Sequence, residues 1–595
     1  MRLRLHCAAR RRAVPAVLVG IVAALAAAGC DCDLGLGAPS EPSGPSGPVA
    51  VVFELDGELP QFPGPSGMLG GTSLSQHELV RRLDSAAADL QVQQVIVHLA
   101  SPHLGWARAR EIGDAIARVA ESGKPLTCHL EAADNLTYWM AARSCPSIEL
   151  APAGGIELVG LSLEAVFVRE LLDKLGINAE VLRVGRYKDA AESLTRDAMS
   201  AASREASASL LDRLQELLVQ GIASGRDLSV ERVAELIDGG PYDAARAVEV
   251  GLADRSETFG SLVGRMRDSY AGGVVDDYGQ QPRESLSLGE LLQMLGGGRP
   301  EKKRPSGPRI ALVPVVGPIL GGGAGDELLA GMELVRDVEL VDALSEAARD
   351  DSIRAAVLRV DSPGGSALAS DNIWQAVRDL NEVKPVVVSL GDVAASGGYY
   401  VASAGREIYA SEGTLTGSIG VIGGKLVVSE AIEEIGVTTE TLTRGERAAL
   451  ASPFRSFSEG ERAALEGLIQ GSYDLFVDRV AAGRGLSRGK VLAAAEGRVW
   501  TGAQALEQDL ITAVGTLHDA LERARELGEL PGGAVEIHPP PQSLMEMLGE
   551  TLGTGGSAAL VAARRLPSGR RALALASLLG EHRLLAFSPL VFRVR

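Results

Sequence analysis

The sequence predicts an α/β protein in which one domain, with mainly parallel and buried strands, is used twice. Three observations carry this. Short apolar, β-branched runs alternate with amphipathic helical stretches and small-residue turns, the pattern of βαβ units. The chain matches itself at an offset of about 260 residues, the kind of self-similarity that marks a duplicated fold. Its 71 glycines against 4% aromatic residues supply many tight turns.

Taken in order, residues 1–29 read as a secretory signal. Arg2, Arg4, Arg10, Arg11 and Arg12 form a basic start, and Ala13 to Ala28 is apolar but short of the roughly 20 residues a spanning helix needs. The run ends Leu25-Ala26-Ala27-Ala28-Gly29-Cys30, similar to a bacterial lipobox with Cys30 as the acylated residue; an uncleaved anchor is the alternative. Either places the body of the protein on the exported side of a membrane, the periplasmic side of the inner membrane. Residues 30–48 are a Gly/Pro/Ser tether. A first domain is expected over 49–270 and a second over 309–530. The punctuated stretch 271–308 reads as a linker. Residues 531–595 form an extension whose Arg564, Arg565, Arg570, Arg571, Arg583, Arg593 and Arg595 lie on anionic lipid, pack on the acidic body as a helix or belong to a mobile tail.

Net charge is −19, and loss of residues 1–29 removes five arginines and no acids, giving −24. So acidic a body excludes nucleic acid as a partner, because phosphates require a basic face. Beyond the signal lie Cys30, Cys32, Cys128 and Cys145; the last two are either a disulfide in an oxidising compartment or two separate buried thiols. No CxxC or His-rich spacing points to a metal, and no cofactor is expected.

The repeat is read from paired landmarks. Gly123-Lys124-Pro125 answers Val383-Lys384-Pro385, and Ser101-Pro102 answers Ser362-Pro363 after matching strands. Tyr138-Trp139 falls beside Tyr399-Tyr400, and Gly225 to Ser229 beside Gly483 to Ser487. The copies differ where chemistry would sit. The rear copy holds Asp361-Ser362-Pro363-Gly364-Gly365 and then Ser396, set among Ala394, Ala395, Gly397 and Gly398 where a strand turns into a helix. Small neighbours and a helix N-terminus suit that hydroxyl to attack beside a developing negative charge. An ordinary helix-capping serine in a tight turn is the other reading. The front copy offers only Leu136 opposite Ser396. It carries Gly185-Arg186-Tyr187-Lys188 where the rear copy places Ala448 opposite the lysine. One copy therefore supplies a candidate nucleophile and the other a candidate base.

At DSPGG, AASGGYY, TGSIGV and VGRYKDAAES the chain resembles the long, duplicated form of bacterial signal peptide peptidase A, over about residues 49 to 530. The resemblance implies two tandem ClpP/crotonase-like spiral domains and a membrane-bound serine endopeptidase with a Ser–Lys dyad. It makes Ser396 the nucleophile, Lys188 the general base and Ser418 the residue that orients the lysine, with amides of Gly397 and the Gly364 loop as the oxyanion hole. It also implies a homo-oligomer acting on hydrophobic peptides such as cleaved signal peptides. The lipobox-like start and the extension depart from the family pattern.

The physical requirement stands apart from the resemblance. Lysine is protonated at neutral pH and can serve as a base only when burial lowers its pKa. Asp189 and Glu192 are close enough in sequence to make Lys188 a surface ion pair instead. None of the eight histidines falls between Ile310 and Thr516, so a Ser-His-Asp device is not expected, and His103 reads as structural. The apolar Leu415 to Val421 suggests a non-polar substrate groove. Two other classes compete: a crotonase-like enzyme polarising an acyl-CoA thioester, and a catalytically silent membrane scaffold.

Overall fold

The computed structural model describes residues 47–63, 74–280, 307–322 and 334–540, and the backbone of 585–587. The signal, Cys30, most of the tether, much of the 271–308 stretch and nearly all of the extension lie outside the described residues.

The front copy builds a six-stranded parallel sheet. Its elements are β1 (Val49–Glu58), α1 (Gln76–Ala88), β2 (Val92–His103), α2 (Trp106–Glu121), β3 (Leu126–Leu130), α3 (Asn135–Ser144), β4 (Ile148–Leu150), β5 (Asn178–Val184), α4 (Ala201–Arg226), β6 (Arg255–Ser256) and β7 (Val274–Val275). The sheet order is β7-β1-β2-β3-β4-β6, with β5 left for another sheet. Strand β2 is buried almost end to end, as parallel strands covered on both faces should be. Cys128 of β3 and Cys145 at the end of α3 form a disulfide.

The rear copy repeats the plan with β8 (Arg309–Val316), β9 (Ile319–Leu320), β10 (Val335–Arg336), α5 (Asp337–Arg349), β11 (Ile353–Ser362), β12 (Gly364–Ser366), α6 (Ala367–Val383), β13 (Val386–Ala395), α7 (Gly397–Ala402), β14 (Glu407–Ala410), β15 (Leu415–Gly417), β16 (Val421–Val427), α8 (Glu459–Arg484), β17 (Val499–Thr501), β18 (Ala513–Val514), α9 (Leu517–Leu527) and β19 (Ala534–Ile537). The main order is β17-β15-β13-β11-β8-β19. The duplication holds in detail. Tyr138 and Tyr399 donate their hydroxyls to matching carbonyls, Leu252 and Leu510, at 2.8 and 2.7 Å. Helices α4 and α8 each run 26 residues and end on a left-handed residue, Asp227 and Gly485.

Two expected boundaries shift. Strand β7 lies inside the stretch read as linker and pairs with β1, and β19 pairs with β8 beyond residue 530. Nor do the copies stand apart, because a third sheet, β10-β9-β12-β20-β16-β5, joins them, β20 being Leu585–Phe587. In it, β5 of the front copy runs antiparallel to β16 of the rear copy from Val184↔Val421 to Asn178↔Val427. A second seam is helix α2. Its N-cap Gly105 has no side chain, and Asp392 of the rear copy accepts from Arg108 N at 3.0 Å instead.

Candidate active site

Strand β13 ends at Ala395 and α7 begins at Gly397, so Ser396 stands on the corner. Its backbone is strained, with φ 56° and ψ −117°, a conformation costing on the order of 1–3 kcal/mol that persists only when the surroundings enforce it. Here Ser396 N donates to Gly417 O at 2.8 Å and Ser396 O accepts from Tyr400 N at 2.8 Å. A Cβ on Gly398 would lie 2.5 Å from Ser362 O, so only glycine allows the helix to approach that loop. The hydroxyl does not cap α7, which removes the capping reading; it lies 2.7 Å from Lys188 Nζ.

Lys188 follows β5 on a turn closed by Lys188 N to Gly185 O at 3.2 Å. The turn is pressed against the rear copy: Tyr187 N donates to Glu496 O at 2.7 Å, and Gly497 at φ +79° approaches so closely that a Cβ would meet Lys188 N at 2.5 Å. Ser418, itself at φ 53°, presents both its carbonyl oxygen and Oγ to Nζ at 3.0 Å. Lys188 is 1% exposed and Ser396 is fully buried.

The nearby acids do not neutralise this amine. Asp189 accepts from Ser203 Oγ at 2.7 Å, while Glu192 pairs with Arg183 at 2.9 Å and accepts from Ser200 N. Among the described residues no carboxylate forms an ion pair with Nζ. Burial therefore dominates and lowers the Lys188 pKa from 10.5 to about 7, the Asp189 charge working weakly against it. At about 1.4 kcal/mol per pH unit, the charged form is disfavoured by about 5 kcal/mol.

Gly397 opens α7, and Gly364 sits at φ +100° in β12. The Gly364 amide donates to Ser362 Oγ at 3.1 Å. Strand β20 runs antiparallel to β12, with Gly364↔Phe587 and Ser366↔Leu585, and meets β16 at Ile422. An extended segment of the chain's own C-terminal region therefore fills the slot between the glycine loop and β16. His103 is exposed at the end of β2, and no histidine among the described residues bonds to Ser396. Nor do those residues hold a cluster of His, Cys, Asp or Glu that could bind a metal ion.

Two readings change. The equivalence of Tyr138 and Tyr399 puts Asn135, not Leu136, opposite Ser396. Its amide oxygen accepts from Val159 N and Gly160 N, and its nitrogen donates to Gly160 O. The front copy thus closes with a hydrogen-bonded amide the corner that the rear copy leaves to a reactive hydroxyl. Leu415 to Val421, expected to wall a groove, instead forms β15 and the turn carrying Ser418, buried except for Leu415. Sequence reading passed over Asp361, whose carboxylate lies beside β13, and Thr416, whose hydroxyl donates to Ala394 O at 2.6 Å. It also passed over Arg359, whose charge within the apolar run Ala355 to Val360 was the available signal.

A duplicated parallel α/β frame with a buried serine on a strained strand-to-helix corner defines a class, the serine-type peptidases. The chain belongs to peptidase family S49, whose model matches residues 118–271 and 378–531, once in each copy. It is 31% identical over 485 residues to the chloroplastic serine protease SPPA of Arabidopsis thaliana, covering 80% of this chain and 70% of that one. It is also 31% identical over 439 residues to protease 4 of Haemophilus influenzae, covering 70% and 67%. Among solved structures, a serine-to-alanine mutant of the 1510-N membrane-bound stomatin-specific protease aligns over 40% of this chain and 99% of its own, at 15% identity and a TM-score of 0.25.

Proposed function

We propose that this chain is a membrane-tethered serine endopeptidase that uses a Ser396–Lys188 dyad to degrade hydrophobic peptides, typified by cleaved signal peptides. The observation that carries the reading is the 2.7 Å contact between Nζ and Oγ in a dry pocket. A neutral amine has one lone pair and two N–H groups. Lys188 has three partners: two oxygens of Ser418 to receive its hydrogens, and the Ser396 hydroxyl to supply one. On attack the proton passes from Oγ to Nζ, the Gly397 amide and the Gly364 loop stabilise the oxyanion, and Nζ returns the proton to the leaving amine. Water then resolves the acyl-enzyme by the same route. The β12–β16 slot, which accepts an extended segment, suits a peptide better than a thioester. Tethering rests on residues 1–30, since no helix among the described residues is long and apolar enough to cross a membrane.

The test is the rate at which an acylating reagent labels Ser396, followed against pH. Labelling should rise as pH passes about 7 and vanish in Lys188→Ala. A parent chain that never labels would instead support the scaffold reading.

Assembly of identical chains is part of the proposal. In the repeat, residues 438–444 answer β5 and residues 160–166 answer β16, yet neither segment is paired within the chain. Val166 and Leu442 stand 73% and 85% exposed there. Gly176 packs on the rear copy, where a Cβ would meet Ala431 N at 2.5 Å, whereas its counterpart Gly436 faces open space. A second copy, placed head to tail, would complete the same ladder.

A further inference from the structure

We infer that Asp361 is a positioning residue for this reaction: its carboxylate fills a bulge in β13 and sets the glycine loop and the nucleophile as one unit. Val360 pairs with Leu390 and Ser362 with Ala394, so β13 spends Gly391, Asp392 and Val393 where β11 spends only Asp361. A bulge leaves ladder amides without partners. Those of Val393 and Asp392 donate to Asp361 Oδ1 and Oδ2 at 3.0 and 3.3 Å. Gln61 of the front copy donates to Oδ2 as well. Glycine is required opposite, because a Cβ on Gly391 would lie 2.6 Å from Oδ2. The backbone carbonyl of Asp361 accepts from Gly317 N at 2.9 Å, which ties in the end of β8.

The consequence is geometric. Asp361, near the end of β11, precedes Gly364 by three residues, and Val393, near the end of β13, precedes Ser396 by three. Thr414 and Thr416 hold the far side of the bulge through Gly391 O and Ala394 O at 2.9 and 2.6 Å. A shift of the bulge would move donor and nucleophile together, and a misplacement of about 1 Å can cost about 100-fold in rate.

An ionised Asp361 accepts from both amides and from Gln61 with full strength, whereas a protonated one gives up acceptor capacity to an O–H. Asp392 on β13 faces it with like charge, and Arg359 on β11 and Arg108 on α2 face it with opposite charge, Arg359 being shared with Glu111. Burial, with the Asp392 charge, pushes the Asp361 carboxyl up to about 6. Protonation turns one acceptor into a donor aimed at N–H groups.

The inference rests on the proposed function, and the test separates the two. Ser396 in the full chain is labelled with a fluorophosphonate between pH 5 and pH 9. With Lys188 and Asp361 both required deprotonated, log rate should climb with a slope of about two below pH 6 and about one from there to pH 7. Asp361→Asn should label about 10–100-fold more slowly, with a slope of about one throughout the acid limb and peptide KM within about 2-fold of the parent. Asp361→Glu, which keeps charge but not fit, should not restore the rate. A parent slope of about one down to pH 5, or a variant with the parent's rate and slope, overturns the inference even if Asp361→Asn folds poorly. Absence of any labelling in the parent removes the proteolytic reading and this inference with it.

Discussion

Lys188 and Ser396 stand 208 residues apart in the chain and 2.7 Å apart in space. The span is bridged by the β5–β16 ladder, which delivers the front copy's turn onto the rear copy's Glu496–Gly497 backbone. The site is thus a property of the seam between copies and not of either one.

Lys188 should be a residue that costs stability while it enables chemistry. With an unfolded pKa of 10.5 and a folded value of about 7, the unfolded chain binds the extra proton between those limits. Stability therefore rises with pH from about 7 to about 10.5, and the penalty is complete below pH 7. Lys188→Met, which is apolar and similar in length, should abolish peptide cleavage yet melt a few degrees above the parent at pH 6. The gain should shrink at pH 9.5. Melting scans at both pH values check it, and a variant less stable than the parent at pH 6 would contradict the burial argument.

Glu111 and Arg359 lock the second seam. They are 6% and 1% exposed, joined bidentately at 2.5 and 3.1 Å, and Glu111 also accepts from Leu517 N at 3.1 Å. Removing one partner leaves a buried charge without its hydrogen-bonded counterpart, a loss of about 3–5 kcal/mol, whereas an apolar replacement of both is often nearly neutral. Denaturant titration should find Glu111→Ala more destabilised than Glu111→Leu combined with Arg359→Met. Equal losses would mean that packing, not charge, sets the cost.

Glycines at the lysine turn should differ in importance. Gly497→Ala places a methyl against backbone at φ +79°, so the turn must move. Gly420→Ala, with no left-handed backbone to strain, would bring its methyl to 3.0–3.1 Å from Val184 O, Gly497 Cα and Lys188 Cδ, a crowding that a shift of a few tenths of an ångström relieves. We expect kcat to fall about 100-fold in the first and less than about 10-fold in the second, at similar protein yield. Steady-state cleavage of a hydrophobic peptide decides this.

How much of this could be read in advance follows from what local pattern encodes. The alternation of elements and the duplication were legible in local pattern, and the difference between the copies singled out Ser396 and Lys188; the roles proposed for these two and for Ser418 came from the family resemblance. The merged third sheet was not, since antiparallel pairing of β5 with β16 links residues far apart and leaves no periodic trace. Asp361 hid for another reason: a carboxylate ending a strand looks solvent-facing until the bulge opposite is known. Asn135 was missed because the repeat offset drifts by one residue, enough to exchange a hydrogen-bonding amide for Leu136.

Strand β20 should compete with substrate. It occupies the slot between β12 and β16, with Ala586 opposite Gly365, and proline there removes an amide and resists antiparallel pairing. In the full chain Ala586→Pro should lower KM for an added hydrophobic peptide about 2–10-fold with kcat unchanged. An unaltered KM would mean the segment leaves the slot at no cost.

Completion of the ladder between chains yields the last expectation. Residues 438–444 answer β5 in the repeat but are exposed throughout and unpaired, and Leu442 stands 85% exposed among them. If a neighbouring copy's residues 160–166 cover it, a charge at that position must be buried on association, at a cost of several kcal/mol. Leu442→Asp should therefore shift the full chain from oligomer to monomer in light scattering, while the fold reported by circular dichroism is retained. The Lys188–Ser396 contact lies within one chain, so labelling of Ser396 should survive the dissociation. A parent chain that is monomeric at all concentrations would refute the assembly, and loss of labelling on dissociation would show that the neighbour contributes to the site.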